Sequence, residues 1–256
     1  MKVIAAVQSR MNASRLPGKP LLEISGKPLI DHVLEQVSKC PGVDEVVVVC
    51  TDHLKDDHLK SYLEKKNIGW SDGPADDIVG RFHNAIEKFN ADAVIRVWGD
   101  CPLIHPGVLG EMLTLFKQKG GFITNSEPRT FPCGLNAEIY SKEILAEIFN
   151  STEDAFYREY PMEYIKAKRP EALTNFSYKD DASDIQLTID YSEDIKVIES
   201  VLKNFVQTNR KWTVDQLVEF CRTHAVLLTN SKLSRNIEYK EDLKSRNLKY
   251  NGRTNE

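Results

Sequence analysis

The sequence predicts an α/β fold: a mainly parallel central sheet with helices on both faces. Three observations carry this. Short apolar runs rich in β-branched residues recur along the first half of the chain, as strands covered on both faces require. Between them lie segments whose apolar residues repeat at helical spacing. Strand and helix patterns therefore alternate, the order that right-handed crossovers between parallel strands impose.

Taken in order, Lys2 to Val7 reads as the first buried strand. In LIDHVLEQV, after Pro28, residues Leu29, Ile30, Val33, Leu34 and Val37 share one helical face, and a proline suits the first turn. EVVVVC (45–50) is a second strand, residues 55–66 form a polar helix, and a short strand near Ile68–Trp70 precedes the turn SDGPADD. Ile78, Phe82, Ala85 and Phe89 mark the next helix, and DAVIRVWGD (92–100) is a strand ending in an acid. A helix over 106–118 starts near Pro106.

The pattern changes after Gly120-Gly121, where residues 122–180 mix short strands with helices near 142–149 and 155–168. LTNFSYKDDASDIQLTID reads as two short strands around a polar turn. The segment 191–206 is an amphipathic helix carrying Ile195, Ile198, Val201, Leu202 and Phe205, and a further helix lies near 213–223. These elements divide the chain into a principal domain, 1–206, and a helical C-terminal extension, 207–256, ending in the polar, frayed KYNGRTNE.

Composition narrows the function. With 256 residues, 41% of them hydrophobic, the chain can bury a large core. A net charge of −4 argues against general coating of nucleic acid, so anion affinity must be local. No apolar run is long enough for a membrane helix, and the start lacks a secretory-signal pattern, so a cytoplasmic protein is expected. Five scattered cysteines, without CxxC or Cys/His clusters, read as reduced thiols rather than a disulfide framework or zinc site.

Local anion affinity has an obvious candidate in VQSRMNASRLPGK (7–19), which gathers Arg10, Arg15 and Lys19 without an acid. The loop should lie at the carboxyl edge of the sheet, where open α/β sheets bind ligands. Three cations with Ser9, Asn12 and Ser14 suit a polyphosphate, since guanidinium forks match phosphate oxygens and lysine supplies a compact charge. A solvated basic loop fits the same residues. The segment is neither a P-loop nor a GxGxxG fingerprint.

Asp100, at the end of the 92–98 strand, would ligate a hard cation such as Mg²⁺ or cap the turn before Pro102; position alone leaves both open. Asp190 ends a later strand, just before a helix start already supplied with acids at Glu193 and Asp194.

VQSRMNASRLPGKPLLEISGKPLIDHV resembles the opening of cytidylyltransferases that activate acidic sugars, the CMP-Kdo and CMP-sialic acid synthetases. DDIVGRFHNAIEKFNADAVIRVWGDCPLIHP, TFPCGLNAEIYSKEIL and QLTIDYSEDIKVI are most similar to the spore-coat polysaccharide biosynthesis branch. The resemblance spans roughly residues 1–205. It implies a Rossmann-like nucleotidyltransferase fold of GT-A type, binding CTP and Mg²⁺, in which a sugar hydroxyl attacks the α-phosphorus and pyrophosphate leaves.

The residue roles follow from the same resemblance. Arg10, Ser14, Arg15 and Lys19, with Ser9, would hold the triphosphate; Asp100 and Asp190 would hold the metal; and Arg81 would lie near the cytidine. Arg10, Lys19, Asp100 and Asp190 form the expected catalytic set. For Arg81 the alternative is a solvated charge beside the Ile78/Phe82 stripe. Glu138 is a candidate on the acceptor side, and Glu138 and Asp190 are candidates for a general base, with an outward-facing strand residue as the alternative for Glu138.

The resemblance also implies a homodimer, with 122–180 as the acceptor and dimerisation region; the net charge and the short apolar runs imply no nucleic-acid or membrane partner. Departures at Trp98 and Cys133 fall near the expected acceptor. Two other readings share such a fold. A glycosyltransferase would commonly carry a D-x-D pair, absent from Gly99-Asp100-Cys101-Pro102. A non-catalytic nucleotide-binding protein would not need the cation loop and both aspartates together.

Overall fold

The computed structural model describes residues 1–206, 211–224 and 235–248. The chain opens with β1 (Val3–Gln8), a hairpin of β2 (Glu23–Ile24) and β3 (Lys27–Pro28), and α1 (Leu29–Val37). Then come β4 (Glu45–Val49), α2 (Asp57–Lys65), β5 (Gly69–Ser71), α3 (Ile78–Phe89), β6 (Ala93–Trp98) and α4 (Pro106–Lys119). The second half holds β7 (Phe122–Thr124), β8 (Ala137–Ser141), α5 (Lys142–Ser151), α6 (Ala155–Glu159), α7 (Pro161–Lys168) and β9 (Leu173–Asn175). Helices α8 (Ser192–Phe205), α9 (Val214–Thr223) and α10 (Ile237–Ser245) follow.

The main sheet has seven strands in the order β5-β4-β1-β6-β8-β7-β9. β1 pairs in parallel with β4 on one side and β6 on the other, in registers ending at Gln8↔Val49 and Gln8↔Trp98. The chain thus leaves β1 toward β4 and β5, then returns to build β6 on the opposite flank. That reversal opens a crevice beyond the carboxyl ends of β1 and β6. β8 runs antiparallel to both its neighbours, so the sheet is parallel through its first four strands and mixed beyond them.

The apolar run of β1 is continuous because both faces are covered. Val3, Ala5 and Val7 enter a core shared with α1, α4, α8 and α9, while Ile4 and Ala6 enter the opposite core, shared with α3 and α5. Strands β7 to β9 extend this same sheet rather than founding a second one.

Two expectations are corrected. The helix expected over 155–168 is two helices, divided at Tyr160-Pro161. Proline disfavours the helical conformation in the residue before it, and Tyr160 sits at φ −121, ψ 72. The second strand expected in LTNFSYKDDASDIQLTID is absent. Residues 185–189 run beside the 131–135 segment through a single isolated bridge, Cys133↔Gln186. In the extension, α9 buries Val214, Leu217, Val218 and Cys221 against the main core. The frayed end expected at 249–256 lies outside the described residues. All five cysteines are free and buried.

Candidate active site

The loop after β1 is positioned by its backbone. The Ser9 amide donates to the Val49 carbonyl (3.0 Å), and Gly18 donates to Met11 (2.8 Å), closing the loop on itself. Met11 in turn donates its amide to the Asp56 carboxylate at 2.6 Å. Asp56 is wholly buried and also accepts from the Thr51 amide and hydroxyl at 2.8 and 2.6 Å. A buried carboxylate needs such donors, and here one of them is the loop itself. Gly18, at φ 76, starts the 3₁₀ turn Lys19–Leu21 from which Lys19 enters the crevice.

On the other wall, the Gly99 amide donates to the Gln8 carbonyl at 2.8 Å, joining the ends of β6 and β1. A Cβ at Gly99 would stand 2.8 Å from Ser9 Oγ and 2.9 Å from Gln8 O, so the two strand ends meet this closely only around glycine. The Asp100 carbonyl accepts from the Ile189 amide at 3.0 Å. That bond brings the 185–190 segment, far away in sequence, to the end of β6, with Asp190 beside Asp100.

The side chains converge on Lys19. Its ammonium donates to Asp100 Oδ2 (2.7 Å), the Ile189 carbonyl (3.0 Å) and Asp190 Oδ1 (3.3 Å). Arg15 Nη2 reaches the same Asp190 Oδ1 at 3.0 Å. Asp190 Oδ2 accepts from Thr188 Oγ1 (3.2 Å) and from Arg235 Nη1 (2.9 Å).

Burial pulls the Lys19 pKa down, but Asp100 and Asp190 overcome it and the net shift is upward. For Asp190, burial pushes upward and is outweighed by Lys19, Arg15 and Arg235, which hold the carboxyl at about 2. Both groups are therefore charged at neutral pH.

A cavity of about 190 Å³ opens over this cluster, and Ser9, Arg10, Ser14, Arg15, Lys19, Asp100 and Asp190 all line it. The structure thus brings together seven of the nine expected site residues. The remaining two, Arg81 and Glu138, are not on the cavity wall.

Arg81, on α3, is 1% exposed, which rules out a solvated charge. Its Nη2 donates to the Ala75 carbonyl at 3.3 Å, while Nε and Nη1 are buried without a protein partner. Burial lowers its pKa to about 10, against the opposing pull of Glu159, so it stays charged. Glu138, on β8, is buried rather than outward-facing. Its Oε2 accepts from Arg96 Nη1 (3.0 Å) and the Tyr140 hydroxyl (2.6 Å). Arg96 Nε continues to Gln8 Oε1 at 2.9 Å, and Gln8 lines the cavity. Glu138 therefore supports the β1–β6 crevice from behind, with its carboxylate committed to Arg96.

Asp56, Thr188 and Arg235 were not legible as site residues. Each lacks a motif spacing in the sequence, and Arg235 stands alone in a polar stretch.

Asp100 Oδ2, Asp190 Oδ1 and the Ile189 carbonyl already share one cation, the Lys19 ammonium. This all-oxygen donor set is what a hard divalent ion takes. Among the described residues no group of three or more His, Cys, Asp or Glu could hold a metal. A two-carboxylate site with remaining positions for phosphate oxygens and water suits Mg²⁺, which dehydrates reluctantly.

A family model described as cytidylyltransferase matches residues 4–253. A solved structure of a cytidylyltransferase from Leptospira borgpetersenii superposes with a TM-score of 0.83 at 27% identity, over 92% of this chain and 100% of that one. The spore coat polysaccharide biosynthesis protein SpsF of Bacillus subtilis is 26% identical over 211 residues, 78% of this chain and 85% of that protein. The 3-deoxy-manno-octulosonate cytidylyltransferase 2 of Hydrogenovibrio crunogenus is 37% identical over 122 residues, which is 46% of this chain and 48% of that enzyme.

Proposed function

The chain belongs to the cytidylyltransferase family, and from that premise we propose that it transfers CMP from CTP to a hydroxyl of a sugar or sugar acid, releasing pyrophosphate, in the synthesis of a surface glycan. The observation that carries this reading is the meeting of Arg15 and Lys19 with Asp100 and Asp190 at the reversal of strand order. A polyphosphate clamp beside a pair of converging carboxylates is the equipment that in-line displacement at phosphorus requires.

Arg10, Ser14, Arg15 and Lys19, with Ser9, hold the triphosphate and neutralise the charge that builds on departing pyrophosphate. As CTP enters, Arg15 and Lys19 turn from the aspartates to the phosphates. Asp100 and Asp190 would hold Mg²⁺, which when bound would supply polarisation of the α-phosphate and a lowered pKa for the attacking hydroxyl. A place for Arg81 near the cytidine rests on the family alone, since its side chain is buried off the cavity wall. Glu138 acts through Arg96 and Gln8 on the shape of the crevice, not as a base. The acceptor's acid group and homodimerisation through 122–180 rest on the family alone, as does a cytoplasmic site of action. Among the described residues no helix is long and apolar enough to cross a membrane.

The test is pyrophosphate release from CTP, ATP, GTP or UTP with Mg²⁺ and a panel of sugar acids and sugar phosphates. CTP with a sugar acid should give turnover, and Asp100→Asn should lower it by at least about a thousandfold with an unchanged far-UV spectrum. Tight CTP binding without pyrophosphate from any pair would sink the reading, as would normal Mg²⁺-dependent rates in Asp100→Asn.

A further inference from the structure

The two oxygens of Asp190 have different company. Oδ1 is met by Lys19 and Arg15, both from the loop after β1. Oδ2 is met by Thr188 and by Arg235, which lies just before α10 in the C-terminal extension. Arg235 spans two carboxylates: its Nη1 bonds Asp190, and its Nη2 bonds Asp194 Oδ1 at 2.5 Å. Asp194, completely buried at the start of α8, uses its other oxygen to accept from the backbone amides of Asp190 and Tyr191, each at 2.8 Å. A closed ring results: Asp190 backbone, Asp194, Arg235, Asp190 side chain. The Arg235 side chain is only 10% exposed, and its Nε is buried without a protein partner.

The position of Arg235 is set by α10. Tyr239 donates to Glu163 at 2.7 Å, Tyr160 donates to Asp242 at 3.0 Å, and Arg246 grips Asp154 with two bonds of 2.7 Å. Leu243 is buried beneath the helix. The extension is thereby seated on α6 and α7 while its leading arginine reaches the far side of the cavity's carboxylates.

We propose that Arg235 is a positioning residue: it locks Asp190 in its metal-binding rotamer once the nucleotide has drawn Arg15 and Lys19 away. This rests on the proposed nucleotidyl transfer for the movement of those two cations, but the ring itself stands without it. A planar guanidinium fork fixes a carboxylate's orientation as well as its charge. Holding Oδ2 leaves Oδ1 facing Asp100. Partners behind a metal ligand typically change metal affinity ten- to a hundredfold when removed. The competing effect is repulsion, because a cation beside a metal ligand weakens metal binding. The two effects predict opposite signs for the same substitution.

The experiment is Mn²⁺ binding by electron paramagnetic resonance, with and without CTP, to the full chain and to Arg235→Gln. Positioning predicts Mn²⁺ affinity about tenfold weaker in the variant, CTP affinity in EDTA within about twofold of wild type, and recovery of Mn²⁺ affinity in Arg235→Ala on adding guanidinium ion. Unchanged or tighter Mn²⁺ binding overturns the proposal, since Arg235 would then be only a counter-charge. Should Arg235→Gln lose its fold, Arg235→Lys keeps the cation without the fork; it should still bind Mn²⁺ more weakly, and wild-type affinity there overturns the proposal equally. Wild-type protein that binds Mn²⁺ and CTP yet yields no pyrophosphate would fail the functional reading alone, leaving this comparison interpretable.

Discussion

Lys19 illustrates what a single residue says in sequence and in space. In the sequence it is the third cation of an acid-free loop. In the structure its ammonium bonds two carboxylates and a carbonyl from two segments distant in sequence. Those carboxylates come from the ends of β6 and the 185–190 run, which only folding joins. The same cluster sets a pH dependence. The Asp190 carboxyl is held at about 2 against an ordinary 3.8, so the fold favours its ionised form. The sign follows from linkage: the stabilisation is complete above the ordinary value and is lost as pH falls toward 2. In urea unfolding, the stability advantage of wild type over Asp190→Asn should be constant from pH 7 down to about 4 and shrink between about 4 and 2. A difference that stays level across that window would contradict the ion-pair assignment.

At the scale of elements, the crevice depends on how closely β1 and β6 end. Gly99 permits the approach, and an alanine there would press on Ser9 and the Gln8 carbonyl. Gly99→Ala should cost about 1–3 kcal/mol by overpacking and reduce turnover further by spreading the cavity walls; urea unfolding and the CTP assay measure the two effects. Conversely, the 185–190 segment shows where pattern misleads. Ile185, Leu187 and Ile189 are buried and Gln186 is half-buried, but Thr188 is buried too, so the strand-like alternation is incomplete. Alternation also reports which side faces the core, and not whether a ladder partner exists. Here the partner supplies one bridge before the chain turns to Asp100.

At the scale of the molecule, the C-terminal extension returns to the candidate active site. α9 joins the main core, and α10 seats on α6 and α7 through its polar contacts, with Leu243 buried. Leu243→Ala should loosen α10 without unfolding the sheet. Removing a buried leucine side chain costs about 2–5 kcal/mol, here confined to one docked helix. Amide exchange over residues 237–245 should quicken by about tenfold or more while β1 and β6 keep their protection. Uniform acceleration through the sheet would mean that α10 is part of the global folding unit.

Much of the fold was legible because strand and helix periods are local properties of side-chain burial. The two-sided apolar run of β1, the Ile78/Phe82/Ala85 stripe and Pro106 each declare their element within a few residues. The cation loop was legible for the same reason, being contiguous, and the family resemblance located Asp100 and Asp190. What the sequence alone determined, then, was the set of elements and the chemical character of the site. The tertiary structure decided which groups meet. It turned Glu138 inward onto Arg96, buried Arg81 away from the cavity wall, and delivered Arg235 to Asp190 from the C-terminal extension. Such pairings depend on strand order and helix docking, which arise from the summed packing of both cores and leave no spacing in the sequence.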